Sequence, residues 1–219
     1  KGGRQVLEMH FIGVINLVEL LNQNTLKSFI NIGSSDEYGD VNAPQSEMQR
    51  ECPISPYSLG KVSATHFLQM LFRTEKFPVT ILRLFLTYGP GQNSNRFIPQ
   101  IISGCLKDIS FPVSKGEQLR DFCFIDDVIK AIFLVFDSSK SAGEIINIAS
   151  GKPVSIRYVI ENIQNIIEGG YPEFGEIDYR SNENLHLYAD VNKAKTLLNW
   201  QPKFTLNEGL LQTIQCLKK

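Results

Sequence analysis

The chain has 219 residues, enough to bury a sizeable core, with 42% apolar and 21% charged residues, as in ordinary globular proteins. A formal net charge of −1 gives no global field for nucleic acid or an anionic membrane, so any anionic ligand must be gripped by a few placed groups. No apolar run is long enough for a membrane span, the four cysteines form no C-x-x-C pair, and three histidines add no cluster; the expectation is no metal and reduced thiols in a cytoplasmic protein.

The first residue is Lys1, and the sequence is expected to begin in mid-element. Leu7, Phe11, Val14, Ile15, Val18 and Leu21 recur at helical spacing and predict a helix over 6–21. Residues 27–32 are short, rich in β-formers and closed by Gly33-Ser34-Ser35, so a buried strand is predicted there. A polar loop with prolines leads to a second helix over 57–75. Pro78 precedes a strand over 79–86, stopped by Tyr88-Gly89-Pro90-Gly91. A helix over 97–106 and a strand over 122–125 follow, and Asp126 and Asp127 read as caps of a helix running to residue 136. Residues 144–148 form another core strand, Ser155 caps a helix to about 167, and short helices start at Val191 and Leu206. Strands alternating with helices imply parallel βαβ units and an α/β fold.

The chemistry concentrates in Ser55-Pro56-Tyr57-Ser58-Leu59-Gly60-Lys61. A spacing of four puts Tyr57 and Lys61 on one helix face. A free phenol titrates near ~10, too high for a base at neutral pH, and a neighbouring ammonium is expected to lower that value. Such a pair suits removal of a hydroxyl proton while hydride leaves the same carbon. Ser34, at the carboxyl end of the first strand, can hydrogen-bond the reacting oxygen, because open α/β sheets bind ligands at that end. Ser35 by itself reads as an ordinary turn serine.

These segments resemble the extended short-chain dehydrogenase/reductase family, in particular the NAD-dependent epimerase/dehydratase group that acts on nucleotide-sugars. The likeness also runs through Leu82-Arg83-Leu84, Tyr88-Gly89-Pro90-Gly91-Gln92, Arg120-Asp121-Phe122, Asn147-Ile148-Ala149-Ser150-Gly151, Ala189-Asp190-Val191 and Leu198-Asn199-Trp200-Gln201-Pro202. It implies a Rossmann-like parallel sheet with helices on both faces, its N-terminal strands missing, plus a small C-terminal substrate lobe. Residues 1–90 are then the second half of the cofactor domain and 91–219 mainly the substrate lobe, with about 120–150 returning to the sheet. Tyr57 is implied as the acid/base, Ser34 as the catalytic hydroxyl, and Lys61 as the group that binds the nicotinamide ribose and lowers the tyrosine's pKa. Leu84 is placed on the cofactor. Ser35, Asp36, Arg120, Arg180 and Glu183 are placed on the substrate, the arginines gripping its diphosphate. The cofactor implied is NAD or NADP, the partner a nucleotide-diphosphate sugar, and the assembly a homodimer through helices 6–21 and 57–75.

Three departures stand out. Leu86 occupies the place of a common asparagine, and His10 and Val14 replace the usual asparagine and threonine of the preceding helix. The glycine-rich G-x-x-G-x-x-G turn that holds the pyrophosphate does not occur in the chain. The front half of the cofactor site is therefore expected upstream of Lys1, and the chain alone is expected to bind cofactor poorly and to expose apolar sheet surface. Ser34 in place of threonine, followed directly by Ser35-Asp36 rather than by an Asp-Glu pair, leans toward an epimerase or 4-keto-reductase. A 4,6-dehydratase, with Asp36 at the glutamate position, and a non-catalytic sugar-nucleotide-binding relative are the alternatives.

Overall fold

The computed structural model describes residues 3–179 and 183–218. Helices α1 (Gly3–Leu7) and α2 (Gly13–Leu20) are joined by a π-helical turn, Glu8–Ile12, so the predicted single helix begins earlier and is interrupted. Strand β1 (Phe29–Ser34), helix α3 (Pro56–Glu75) and strand β2 (Val79–Leu84) follow. The predicted 79–86 strand stops at Leu84. At Phe85 the chain changes neighbours: the Phe85 amide donates to the Ile148 carbonyl, and the Leu86 amide donates to Asp121. Strand β3 (Leu86–Tyr88) then pairs elsewhere.

Next come α4 (Phe97–Leu106), β4 (Ser110–Val113), β5 (Leu119–Arg120), β6 (Phe122–Phe124), α5 (Ile125–Asp137), β7 (Ile145–Ile148) and β8 (Val154–Ser155). The chain ends in α6 (Ile156–Ile167), β9 (Tyr171–Phe174), β10 (His186–Leu187), α7 (Asn192–Leu198) and α8 (Leu206–Leu217). Ser155 caps α6 as expected, its hydroxyl accepting the Tyr158 amide. Asp126 does not cap α5. The N-cap is Phe124, with no side-chain bond, and both aspartates lie in the first turn. Asp127 is buried and accepts the amides of Lys203 and Phe204 at 2.9 and 3.0 Å, which anchors the segment ahead of α8 to α5.

The central sheet is parallel, in the order β1-β2-β7, with Ser34 opposite Leu84 and Leu84 opposite Ile148. Side chains alternate across a strand, and the core divides accordingly. Val79, Ile81 and Ile145 pack with Val18, Leu68 and Leu71 from α2 and α3. Leu82, Ile146 and Ile148 pack on the other face with Val128, Ala131 and Val135 of α5, Leu198 of α7 and Trp200. A second core gathers α4, α6 and α8 around Tyr88, Ile102, Phe122, Ile160 and Leu210. Beside it lie the small pairs β3-β6 and β4-β9 and the three-stranded β10-β5-β8. Among the described residues, no helix is long and apolar enough to cross a membrane. The edge strand β1 leaves Ile32 exposed.

Candidate active site

Two capping boxes meet at the carboxyl end of the central sheet. β1 ends at Ser34, whose hydroxyl accepts the Asp36 amide at 3.2 Å while the Glu37 carboxylate accepts the Ser34 amide at 2.8 Å. Ser55 opens α3 in the same manner with Ser58, and Pro56 holds the first helical position. Tyr57 therefore stands at the positive end of a 20-residue helix dipole, with Lys61 one turn on.

The structure brings Ser34, Tyr57 and Lys61 together. The Ser34 hydroxyl is close enough to the Tyr57 phenol to favour its ionised form by hydrogen bonding. The Lys61 ammonium lies 5.9 Å from the centre of the Tyr57 ring and donates to the Ile32 carbonyl at 2.8 Å. Leu84 sits beside Ser34 in register on β2. The electrostatics correct one expectation: Tyr57 is not pulled below the ordinary tyrosine value. Burial raises it, Asp36 and Glu37 add to the rise, and the Ser34 hydroxyl and Arg96 guanidinium oppose it. The ammonium expected to lower it is engaged with a backbone carbonyl, and its own pKa is lowered by burial against the pull of Glu37. His10, on the π-helical turn, meets the Tyr57 ring edge-on at 4.9 Å, and burial together with Lys61 lowers its pKa.

Next to this cluster lies a cavity of about 800 Å³, lined among others by Leu86, Asn95, Gln118, Arg120, Tyr179 and Glu183. Arg120 is buried and forms an ion pair with Glu183. Asp36 links cavity and cluster. Burial raises its carboxyl pKa against the pull of Arg96 and Arg120, while Glu183 pushes it further up. Ser35 is buried in the turn, its carbonyl accepting the Tyr38 amide. Arg180 falls outside the described residues.

Sequence reasoning missed the support beneath the cluster. Glu37 and Arg83 are fully buried and paired at 2.9 Å, and Arg83 also donates to Glu51 at 2.5 Å. The signal was present as one charged residue, Arg83, in a mostly apolar strand, with nothing to indicate its partner. The donor set suits one end of a dinucleotide: an ammonium and a phenol beside a strand-end carbonyl match a ribose diol and the ring it carries. No G-x-x-G-x-x-G turn is present to cradle a pyrophosphate.

The family model described as "NAD dependent epimerase/dehydratase family" matches residues 2–149. The chain belongs to that family. Within it, the chain is 28% identical to a UDP-glucuronate 4-epimerase of Thermodesulfobacterium geofontis, over 97% of this chain and 66% of the relative. It is 26% identical to a dTDP-glucose 4,6-dehydratase of Haemophilus influenzae, over 98% of this chain and 70% of the relative. The crystal structure of a UDP-glucuronic acid 4-epimerase from Bacillus cereus, in complex with UDP-glucuronic acid and NAD, superposes with a TM-score of 0.87. That match has 29% identity and covers 95% of this chain and 67% of the other. The chain spans 64% to 70% of the length of the first curated relatives it matches. The epimerase/dehydratase family likeness therefore accounts for the Rossmann-like sheet, and the family is by description NAD-dependent.

Proposed function

We propose that the protein containing this chain is an NAD- or NADP-dependent nucleotide-sugar epimerase or 4-keto-reductase, with Ser34, Tyr57 and Lys61 as its catalytic residues. The observation that carries this reading is the convergence of the Ser34 hydroxyl, the Tyr57 phenol and the Lys61 ammonium beside a cavity holding a buried arginine. Tyr57, Lys61 and Leu84 would hold the nicotinamide end of the cofactor, which would supply the hydride acceptor and donor.

This chain's residues handle the proton and the orientation. In oxidation the Tyr57 phenolate takes the proton from a sugar hydroxyl, at C4 in our reading, as the C–H electron pair leaves as hydride and the carbon becomes a ketone. Ser34 holds the same oxygen. In reduction the neutral phenol returns a proton to that oxygen, and the raised pKa of Tyr57 supports this acid role near neutral pH. Arg120 holds the diphosphate of the nucleotide-sugar, exchanging Glu183 for phosphate oxygens, with Arg180 as a second grip. Glu183, once released, contacts the nucleotide ribose, and Ser35 and Asp36 face the sugar.

We read residues 1–90 as the cofactor half and 91–219 as the substrate lobe; the pairing of β7 with β2 supports the return of 120–150 to the sheet. We read the assembly as a homodimer through helices 6–21 and 57–75, where Met9, Leu17, Leu20 and Leu59 are exposed. Four free cysteines support a cytoplasmic site of action.

A 4,6-dehydratase is the second reading, favoured by Asp36, whose raised pKa suits an acid that helps expel water. The test is to incubate the full-length protein with nucleotide-sugars and NAD or NADP and identify the products. A C4 epimer or a reduced 4-keto sugar supports the first reading. Accumulation of a 4-keto-6-deoxy sugar replaces it with the second, and no turnover of any nucleotide-sugar refutes both.

A further inference from the structure

Glu37 touches neither the cavity nor the phenol, yet its carboxylate is the point at which three elements join. One oxygen accepts the Ser34 amide at 2.8 Å, at the end of β1. The other accepts the Thr65 hydroxyl at 2.8 Å, from α3, and the Nε and Nη2 hydrogens of Arg83 at 3.1 and 2.9 Å, from β2. Thr65 lies one helical turn beyond Lys61 and two beyond Tyr57, so this bond fixes the same helix that carries both. Gly33 leaves room for the carboxylate: a Cβ there would stand 2.6 Å from Glu37 Oε1. Glutamate, Thr65 and Arg83 are all fully buried. Only a carboxylate presents acceptors on both atoms to these four donors. An amide would turn its NH2 toward either the Ser34 amide or the Thr65–Arg83 side.

We propose that Glu37 is a positioning residue of the hydride-transfer site, a buried carboxylate that locks the strand end presenting Ser34 to the helix presenting Tyr57 and Lys61. This rests on the proposed reaction. Its charge also reaches the site. Glu37 is among the groups that raise Tyr57, and it raises Lys61 against burial. The other charged or titratable groups facing Tyr57 are Asp36 of the same turn, Lys61 of its own helix, His10 of the π-helical turn and Arg96 ahead of α4. Arg83 and Glu51 lie behind Glu37. Removing the Glu37 charge therefore leaves the phenol easier to ionise, whereas removing the Thr65 hydroxyl loosens the lock without altering charge.

Two variants of the full-length protein separate these roles. Thr65→Val is expected to lower kcat about tenfold with KM for the nucleotide-sugar unchanged and the pH profile unmoved, and Thr65→Ser to restore the rate. Glu37→Gln is expected to lower kcat and to move the phenolate-dependent limb toward lower pH. The Tyr57 titration, followed by NMR with 13Cζ-labelled tyrosine, reports the same shift without any turnover. If Glu37→Gln does not fold, the Thr65 pair still decides the positioning role. A wild-type kcat in Thr65→Val, or an unmoved Tyr57 titration in Glu37→Gln, overturns the inference. Absence of hydride transfer in the wild type instead overturns the proposed function, and the Tyr57 titration then still decides the coupling.

Discussion

Replacing Tyr57 by phenylalanine separates chemistry from architecture, because the structure gives the hydroxyl and the ring different neighbours. The ring packs edge-on against His10, a contact phenylalanine keeps. The hydroxyl lies near the Ser34 hydroxyl, which favours its ionised form, and at most one hydrogen bond goes with it, so the fold should lose no more than about 1 kcal/mol. The reaction loses its proton acceptor and donor, a role worth about 10²–10⁴-fold, or about 3–5 kcal/mol of barrier. In the full-length protein, kcat for Tyr57→Phe should fall at least about a hundredfold with KM little changed and the urea midpoint nearly unmoved. The pH profile carries a sign as well. Burial raises Tyr57, so oxidation by the wild type should climb with pH through a value above the ordinary tyrosine range, and the variant should lose that limb. A variant retaining more than about a tenth of the activity, with the limb intact, would refute Tyr57 as the acid/base.

Arg120→Met should weaken binding of a nucleoside diphosphate by about 1.5–3 kcal/mol, roughly ten- to 150-fold in Kd by calorimetry, and unchanged affinity would remove Arg120 from the diphosphate site. Tyr38, buried with its hydroxyl donating to Asn147 at 2.7 Å, has a pKa pushed up to about 12 by burial, against the pull of Arg83. Its contribution to stability, about 3 kcal/mol, is complete below the unfolded value near 10 and is lost as pH rises toward 12. Urea melts between pH 9 and 12 should therefore fall more steeply in the wild type than in Tyr38→Phe, and equal slopes would contradict the assignment. Asp127→Ala should cost about 1–3 kcal/mol, since two part-buried amides lose their carboxylate acceptor, and a urea midpoint near the wild type would show that the anchor is dispensable.

Local grammar carried much of this architecture. The helix predicted over 57–75 is observed over Pro56–Glu75, and the apolar runs located β1, β2 and β7 to within two residues. The spacing of Tyr57 and Lys61 placed both on the face that reaches Ser34. What stayed hidden depends on pairing between distant segments. Nothing local to Arg83 names Glu37 or Glu51 as its partners, and nothing near Phe85 says that the chain changes strand neighbours there. Strands β4 and β9 each carry a proline in a short, half-polar run and take shape by pairing with each other. The direction of the Tyr57 shift was read wrongly for a similar reason. Helical spacing brings an ammonium near, but the Ile32 carbonyl, two residues before Ser34, competes for it.

The most direct measurement is a crystal structure of the full-length protein with its dinucleotide and a nucleotide-sugar bound. One sugar hydroxyl should lie within about 3 Å of both Ser34 Oγ and Tyr57 Oη, with the diphosphate on Arg120. A sugar ring lodged elsewhere, with those two oxygens facing different groups, would contradict the shared site from which the proposed chemistry is built.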